Sequence, residues 1–290
     1  MARIPFTKMQ GIGNDYIYVD CTEKDYFEGS GAAGFARRFS DRHFGVGSDG
    51  AILIRPSETA DFRMEMYNAD GSLGKMCGNG IRCLARYVTD RGLTDQKTVC
   101  IETLSGFREI STGINARGRF VANVNMGKPS FACKDIPVLR ESDSMINAPV
   151  HAAGTLYNVT AVSMGNPHAV IFTKDVERLE LTRIGPFFEK HRLFPEGVNT
   201  EFAEIMSRDR IRMRVWERGS GETMACGTGA CATVAAAVIN GLTERNVAVT
   251  LNGGTLDISW DEKTGEITMV GPAEFVFDGE VAFDPTESGS

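Results

Sequence analysis

Two cysteines in the chain stand directly before a glycine-rich turn. The first lies in MCGNGIRC, Met76 to Cys83, and the second in ACGTGAC, Ala225 to Cys231. Each turn leads into a helical stretch, so both sulfurs are expected at helix N-termini, where about half a positive charge lowers the pKa of a thiol. The two turns therefore predict that Cys77 and Cys226 exchange protons near neutral pH.

The chemistry that needs two such thiols is proton transfer on both faces of one carbon. If the two helix starts face one bound carboxylate across a cleft, a thiolate removes the α-proton of an amino acid and the opposite thiol returns one. Backbone amides at both helix starts would bind the carboxylate and stabilise the charge of the transition state. His168, in MGNPHAV, and Glu217, nine residues before Cys226, are expected to assist, one near each sulfur.

No cofactor or metal is expected at this site. Lys75 beside the first motif is weak evidence of a Schiff base with pyridoxal phosphate. The chain has four histidines, and none has zinc-ligand spacing to a cysteine.

The sequence repeats itself weakly but in a constant order. FRMEMYNADGS (62–72) resembles IRMRVWERGS (211–220) at a separation of 149 residues, which also relates the two motif cysteines. A separation of 152 residues relates GVGSDGAIL (45–53) to GVNTEFAEI (197–205), and Asn14 to Asn166. We interpret this order as a duplication. The simpler interpretation, that glycine and asparagine recur in the turns of any fold, stays open.

The duplication predicts an α/β (α+β) fold with two similar domains related by a pseudo-twofold axis, 1–125 and 126–274. Each is expected to wrap mixed or antiparallel β-structure around a central helix, with the active-site cleft between them. Strands are predicted at FRMEMYN, TVCIETL, RFVANVNM, RMRVWER, VAVTLN and EITMVG. Helices are predicted after both Cys-Gly turns, ending before Gly92 and Gly241, and the second is apolar on all sides, as in a buried helix. The stretch 129–150 lacks periodicity and is expected to connect the halves.

Composition argues against several classes of function. The chain has 290 residues and a net charge of −7, with a pI near 5.3, whereas nucleic acid or an anionic membrane would need a basic face. No apolar run is long enough to span a bilayer, and no signal sequence is evident. Seven scattered cysteines fit reduced thiols, so the protein is expected in the cytoplasm.

Eight segments together resemble the diaminopimelate epimerase family: FTKMQGIGNDYIYVD, FGVGSDG, YNADGS, MCGNGIR, VSMGNPHAV, GVNTEF, VWERGSGET and ACGTGACA. The resemblance covers nearly the whole chain. It implies a cofactor-independent enzyme that interconverts LL- and meso-2,6-diaminopimelate in the biosynthesis of lysine and peptidoglycan precursors. It also implies a homodimer, and a C-terminal strand at about 275–286 that completes the first domain.

The resemblance also implies roles for individual residues. Cys77 and Cys226 would be the acid/base thiols, supported by Glu217 and His168. The other matched positions would hold the substrate, through helix-start amides at Gly78, Asn79, Gly227 and Thr228 and through contacts from Asn14, Asn68, Asn166, Asn199, Glu217 and Arg218. Gly50 departs from the pattern, because some members carry glutamine there, so one side-chain contact is expected to be missing or replaced.

Other functions fit parts of the same pattern. A racemase for another amino acid, such as proline, would use the same scaffold, although Arg218 favours a substrate with a second charged end. A cysteine hydrolase would pair Cys226 with His168 and leave Cys77 without a role. A protein that only closes two lobes on an amino acid would need neither thiol.

The remaining cysteines are expected to be structural. Cys83, Cys100, Cys133 and Cys231 are expected to pack as small hydrophobic residues, and Cys21 has no assigned role.

Overall fold

The computed structural model describes residues 2–27, 29 and 31–284 of the chain. The described residues form the α-helices α1 (Gly31–Ser40), α2 (Gly78–Asp90), α3 (Leu181–Glu189) and α4 (Gly227–Ile239). Their strands are β1 (Ala2–Gly11), β2 (Asn14–Asp20), β3 (Gly50–Arg55), β4 (Phe62–Asn68), β5 (Leu73–Gly74), β6 (Thr98–Thr103), β7 (Gly106–Ile114), β8 (Phe120–Gly127), β9 (Ala148–Ala152), β10 (Thr155–Ser163), β11 (Pro167–Phe172), β12 (Asn199–Ser207), β13 (Arg210–Glu217), β14 (Gly221–Glu222), β15 (Asn246–Thr250), β16 (Thr255–Trp260), β17 (Ile267–Gly271) and β18 (Glu274–Phe283). The predicted α+β class is confirmed, and the six predicted strands are present within two residues of their expected ends.

The chain divides into two compact units. Unit 1 runs to Val124 and resumes at Gly271, and unit 2 comprises Asn125–Val270. In unit 1, β1 pairs antiparallel with β18 and with β2, β2 pairs parallel with β3, and β3 pairs antiparallel with β4. The parallel pair β4–β6 and the antiparallel pairs β6–β7 and β7–β8 follow.

Unit 2 repeats this pairing scheme strand for strand. The strands β9 to β13 pair in the same order as β18 and β1 to β4, including the parallel step between β11 and β12. The parallel pair β13–β15 and the antiparallel pairs β15–β16 and β16–β17 complete the scheme. The two related halves of the sequence therefore form two units with the same strand topology.

Each unit buries one long helix against its strands. In unit 2, α4 packs against β10, β11 and β16, and all residues from Gly229 to Ala237 are buried, as the apolar sequence predicts. In unit 1, α2 packs against β1, β2 and β7, and it keeps its outer residues partly exposed. Both helices are followed by a glycine with positive φ, Gly92 at 72° and Gly241 at 71°, which matches the predicted helix ends.

A charged residue lies inside the core of unit 1. The Arg82 side chain, on α2, is fully buried, and its guanidinium donates to the carbonyl oxygens of Gly78 (3.1 Å) and Pro272 (3.1 Å) and to Asn79 Oδ1 (2.9 Å). These bonds tie the first turn of α2 to the chain that leads into β18, because charged donors make stronger hydrogen bonds than neutral ones.

The last described strand belongs to unit 1. β18 pairs with β1 over its length, with Val281 opposite Ile4. Its Phe283 is buried beside α1, in a core cluster with Phe27, Phe35 and Phe39. Residues 285 and 286 of the predicted C-terminal strand lie outside the described residues.

The stretch predicted to connect the halves belongs to unit 2. It holds a short 3₁₀ helix, Cys133–Asp135, and the start of β9. Cys100 is only half-buried, contrary to expectation, because β6 alternates and turns its neighbours Val99 and Ile101 inward instead. The other three cysteines expected in the core are buried there. Among the described residues, no helix is long and apolar enough to cross a membrane.

Candidate active site

Cys77 and Cys226 occupy the same structural position in the two units. Each is the N-cap residue of a thirteen-residue helix, with φ −127° and ψ 119° at Cys77 and φ −128° and ψ 107° at Cys226. The sulfur accepts a hydrogen bond from the backbone N–H three residues on, from Gly80 (3.3 Å) and from Gly229 (3.4 Å). A side chain that caps a helix start lies in the positive field of the helix, which stabilises a thiolate.

The second glycine of each motif lies in close contact with neighbouring side chains. A Cβ at Gly229 would lie 2.6 Å from Glu201 Oε1 and 3.2 Å from the Cys226 sulfur. A Cβ at Gly80 would lie 2.6 Å from Ile52 Cδ1. The sequence suggested that these glycines admit a ligand; in the structure they also let the first helical turn approach the strand beneath it.

In unit 1, Cys77 contacts the neutral amide side chain of Asn14. Its thiol donates to Asn14 Oδ1 (3.2 Å), and the Asn14 amide nitrogen donates to Asp49 Oδ2 (2.7 Å). Burial and the nearby Cys77 sulfur raise the pKa of Tyr16 well above its ordinary value, so this phenol stays neutral beside the thiol. Asn14, which the resemblance implies as a substrate contact, therefore contacts the predicted acid/base thiol directly.

The other unit 1 candidates have structural partners. The Asn68 amide donates to Ser72 Oγ (3.0 Å) in the turn after β4. The Asn79 side chain is buried, and its oxygen is already occupied by a hydrogen bond from Arg82 (2.9 Å). Gly78 is the first residue of α2, and its carbonyl oxygen accepts a hydrogen bond from the Arg82 guanidinium (3.1 Å).

Gly50 leaves no room for a side chain. It begins β3 opposite Asn68, and a Cβ there would lie 2.1 Å from the Tyr67 carbonyl oxygen and 2.9 Å from the Tyr16 ring. A glutamine at this position would need a different local backbone. The departure from the family pattern is therefore built into the strand geometry.

In unit 2, Cys226 is buried beside carboxylates. Burial, followed by the negative charges of Glu217 and Glu201, raises its pKa well above the ordinary value, and hydrogen bonds from Thr228 and the Gly229 amide only partly oppose this. Burial also raises the pKa of Glu217, while hydrogen bonds from Thr223 and Cys226 lower it. Cys226 and Glu217 therefore compete for one proton in a low-dielectric environment.

His168 is fully buried in the same unit and bonded at both ring nitrogens. Nδ1 lies 2.7 Å from Glu201 Oε1, and Nε2 lies 3.0 Å from Asn166 Oδ1. The Asn166 amide nitrogen donates to Thr228 Oγ1 (3.3 Å), and that hydroxyl lies 3.6 Å from the Cys226 sulfur. Four candidates predicted from the sequence, His168, Asn166, Thr228 and Cys226, thus form one connected group.

Asn199 and Arg218 form a second pair of predicted residues in unit 2. Asn199 Oδ1 accepts from the Arg218 backbone N–H (2.9 Å), and its amide donates to the Pro167 carbonyl (3.0 Å). The Arg218 guanidinium donates to the Glu196 carbonyl (2.8 Å) and lines a surface pocket of about 370 Å³ together with Lys190. Asn199 therefore sets the backbone from which Arg218 extends.

Sequence reasoning missed the two carboxylates that support these groups. Glu201 lies on β12 and Asp49 directly before β3, and these strands pair parallel with β11 and β2, so each carboxylate is next to a histidine or asparagine far away in sequence. A signal existed, because the 152-residue separation relates Asp49 to Glu201 as it relates Asn14 to Asn166. Within the described residues, no group of three or more His, Cys, Asp or Glu side chains is placed to hold a metal ion.

Comparison with solved structures finds other proteins that share this fold. A phenazine biosynthesis protein of the PhzF family from Bacillus anthracis superposes with a TM-score of 0.72 at 20% identity, covering 98% of this chain and 100% of that one. A hydroxyproline epimerase from Agrobacterium vitis superposes with a TM-score of 0.70 at 14% identity, covering 99% and 93%. At these identities the likeness shows a shared fold alone.

Sequence similarity identifies the family. The family model described as diaminopimelate epimerase matches residues 6–132 and 160–276. The diaminopimelate epimerase of Acetivibrio thermocellus is 49% identical over 276 residues, covering 95% of this chain and 98% of the relative. That of Desulfovibrio desulfuricans is 51% identical over 281 residues, covering 95% and 97%. Since the match spans most of the chain and nearly all of each relative, the chain belongs to the diaminopimelate epimerase family.

Proposed function

We propose that this protein interconverts LL- and meso-2,6-diaminopimelate, moving the α-proton with one thiol from each unit and without a cofactor. One observation carries the proposal: both units present a cysteine as the N-cap of their central helix, with nearly identical backbone angles. Relatives half identical to the chain, named diaminopimelate epimerase, support the choice of substrate.

In this proposal the thiols divide the proton transfer. One sulfur, as thiolate, takes the proton from the α-carbon, and the other, as thiol, gives a proton to the opposite face. The roles exchange when the reaction runs in reverse. No net charge is gained, because each turnover moves one proton onto one sulfur and one proton off the other.

The helix starts would hold the carboxylate beside the reacting carbon. Gly78 and Asn79 open α2, and Gly227 and Thr228 open α4, so their backbone N–H groups point outward from the helix starts. Such groups bind carboxylates and stabilise the negative charge that spreads into the carboxylate when the α-proton leaves.

Glu217 would be the proton partner of Cys226. The two groups are hydrogen-bonded, and burial raises the pKa of each, so Glu217 is placed to exchange a proton with the Cys226 sulfur. We assign His168 and Asn166 to holding Thr228 beside the sulfur, as their hydrogen bonds indicate.

The far end of the substrate would be held by Arg218, and Asn14, Asn68 and Asn199 would supply further hydrogen bonds to the substrate. A planar guanidinium recognises a carboxylate with two parallel hydrogen bonds. The fixed backbone of Arg218, bonded to Asn199 Oδ1, supports this role.

The substrate assignment is tested by comparing LL-diaminopimelate with L-proline, using chiral chromatography to follow product. We expect turnover of diaminopimelate only, and for Arg218→Met a loss in kcat/KM of about 10- to 100-fold, the value of a charged hydrogen bond. Arg210→Met, exposed at the start of β13, the strand that ends directly before Arg218, is the matched control and should behave as wild type. Faster racemisation of proline than epimerisation of diaminopimelate would contradict the assignment.

We also infer that the protein works as a homodimer in the cytoplasm. All seven cysteines are free thiols, as a reducing compartment would keep them. Light scattering during gel filtration tests the first inference, with an expected mass about twice 31.6 kDa. Fractionation of the native cells tests the second, and recovery outside the cytosolic fraction would contradict it.

A further inference from the structure

A buried carboxylate begins the chain of hydrogen bonds that ends at Cys226. Glu201 is fully buried on β12, its Oε1 lies 2.7 Å from His168 Nδ1, and its Oε2 has no hydrogen-bond partner among the described residues. From the ring the bonds continue to Asn166, to the Thr228 hydroxyl and to the sulfur. A half-satisfied buried carboxylate is costly for folding, so a purely stabilising role does not account for it.

Unit 1 contains the corresponding arrangement. Asp49 is the repeat counterpart of Glu201, and Asn14 is the counterpart of Asn166. Asp49 Oδ2 accepts from the Asn14 amide (2.7 Å), and Asn14 Oδ1 accepts from the Cys77 thiol (3.2 Å). In both units a carboxylate at the same repeat position thus reaches the capping cysteine through an asparagine.

We propose that Glu201 and Asp49 are positioning residues, each of which fixes one orientation of an asparagine amide and so sets what the neighbouring acid/base cysteine contacts. The inference rests on the proposed function only in naming the two cysteines as the reacting groups. Neither carboxylate touches the sulfur or the substrate in this account.

The direction of each chain follows from donor and acceptor types. An ionised carboxylate only accepts, so Asp49 draws the NH₂ group of Asn14 and turns the amide oxygen toward Cys77. Without Asp49 the amide can flip and present NH₂ to the sulfur, which would favour thiolate over thiol. Asp49 therefore keeps an acceptor beside this cysteine.

In unit 2 the same argument from donor and acceptor types applies to the His168 ring. Asn166 directs its oxygen to His168, so Nε2 must carry a proton, and one further proton is shared between Nδ1 and Glu201. The Asn166 NH₂ group then occupies an acceptor site on Thr228 Oγ1, which leaves the hydroxyl hydrogen to point to the Cys226 sulfur. Glu201 thus keeps a donor beside this cysteine.

The test compares Glu201→Gln with Glu201→Leu in the intact protein. Glutamine can donate to His168 Nδ1 and so preserve the Nε2–H tautomer, whereas leucine keeps a similar volume but offers no hydrogen bond. We expect leucine to lower kcat by about 100-fold with little change in KM, and glutamine to restore most of that loss. Glu204→Gln, on the same strand, is the control and should retain wild-type kcat.

A second readout needs no substrate. In protein labelled with ¹⁵N-histidine, the His168 signal is identified by its absence in His168→Gln, and the Nε2–H coupling reports the tautomer. We expect this coupling in wild type and in Glu201→Gln, and its loss in Glu201→Leu. An unchanged His168 signal in the leucine variant would overturn the proposal, as would equal loss of kcat in both variants.

In unit 1 the test compares Asp49→Asn with Asp49→Ala. Asparagine keeps an acceptor oxygen for the Asn14 amide, so it should retain most activity, whereas alanine should lower kcat about 10-fold or more. Equal activity of the two variants would overturn this half. If wild type fails to epimerise diaminopimelate, the proposed function falls, while the histidine spectra still decide whether Glu201 orients the ring.

Discussion

At the scale of single residues, one short motif produces two different thiols. Cys77 is half-buried and contacts an amide oxygen, whereas Cys226 is buried beside Glu217, which with burial raises its pKa. A two-base reaction needs one thiol and one thiolate at a time. In the proposed reaction the two sulfurs would therefore give up their protons under unequal conditions.

Thr223→Val tests the proton partnership of Glu217. The Thr223 hydroxyl donates to Glu217 and lowers its pKa against the effect of burial, so removing the hydroxyl raises that pKa further. If Glu217 must be ionised, the acidic limb of the pH profile of kcat/KM moves to higher pH, and activity below the limb falls several-fold. A hydrogen bond to a charged group contributes about 1.5–3 kcal/mol, enough to make the movement visible.

The control for this variant is Thr243→Val, because the buried Thr243 hydroxyl has no hydrogen-bond partner among the described residues. It should leave the profile unchanged. An acidic limb that stays in place, or moves to lower pH, in Thr223→Val would contradict the assigned role of Glu217.

The sequence predicted the motif residues but not the carboxylates that hydrogen-bond to them. Cys77, Cys226, Asn166 and His168 stand in recognisable short segments, and the structure groups the last three. The role of Glu201 was not predicted from the sequence, because a glutamate in a strand is normally solvated. The parallel pairing of β11 with β12 is what brings Glu201 into contact with His168.

At the scale of elements, the two long central helices position the chemistry and the two short helices hold the strands around them. α3 packs so closely on β13 that Gly185 allows no side chain: a Cβ there would lie 2.2 Å from the Trp216 ring. Trp216 precedes Glu217 in β13 and donates to Glu189 at the end of α3 (2.7 Å). The distance between α3 and β13 thus affects the strand that carries Glu217.

Gly185→Ala should therefore lower the free energy of unfolding by about 1–3 kcal/mol, the usual cost of overpacking. Gly113→Ala is the matched control, because no atom lies within 4 Å of its Cβ position in β7. Urea denaturation followed by circular dichroism measures both. Equal stability of the two variants would show that α3 is not held by this contact.

The short helices escaped prediction for physical reasons. α1 reads GAAGFARRFS, with two glycines among its ten residues, and α3 carries Pro186 in its interior. Tertiary packing stabilises them, since Phe35 and Phe188 are fully buried. The central helices were predictable because a glycine turn begins each and a positive-φ glycine ends each.

At the scale of the whole molecule, the last described strand, β18, completes the sheet of unit 1. β18 takes in unit 1 the place that β9 takes in unit 2, although β9 precedes its partner strands and β18 follows everything else. A repeat search cannot detect this exchange of ends. Only the family resemblance indicated that a C-terminal strand returns to the first domain.

Phe283→Ala tests how much this last strand contributes. Phe283 is 2% exposed and packs edge-on against Phe35 at 5.6 Å, so its removal should cost about 3–5 kcal/mol of unfolding free energy. Phe277→Ala, on the same strand but 48% exposed, should cost less than about 1 kcal/mol. Comparable losses in urea denaturation would show that β18 is not anchored through this aromatic cluster.

The central claim, one reacting thiol in each unit, is tested most directly by proton NMR of LL-diaminopimelate in D₂O. We predict that wild type replaces the α-proton by deuterium and forms meso product, and that Cys77→Ala and Cys226→Ala each lose at least about 100-fold in epimerisation. Cys231→Ala, buried in the same helix as Cys226, should retain activity. Epimerisation at the wild-type rate in either Cys77→Ala or Cys226→Ala would contradict the account.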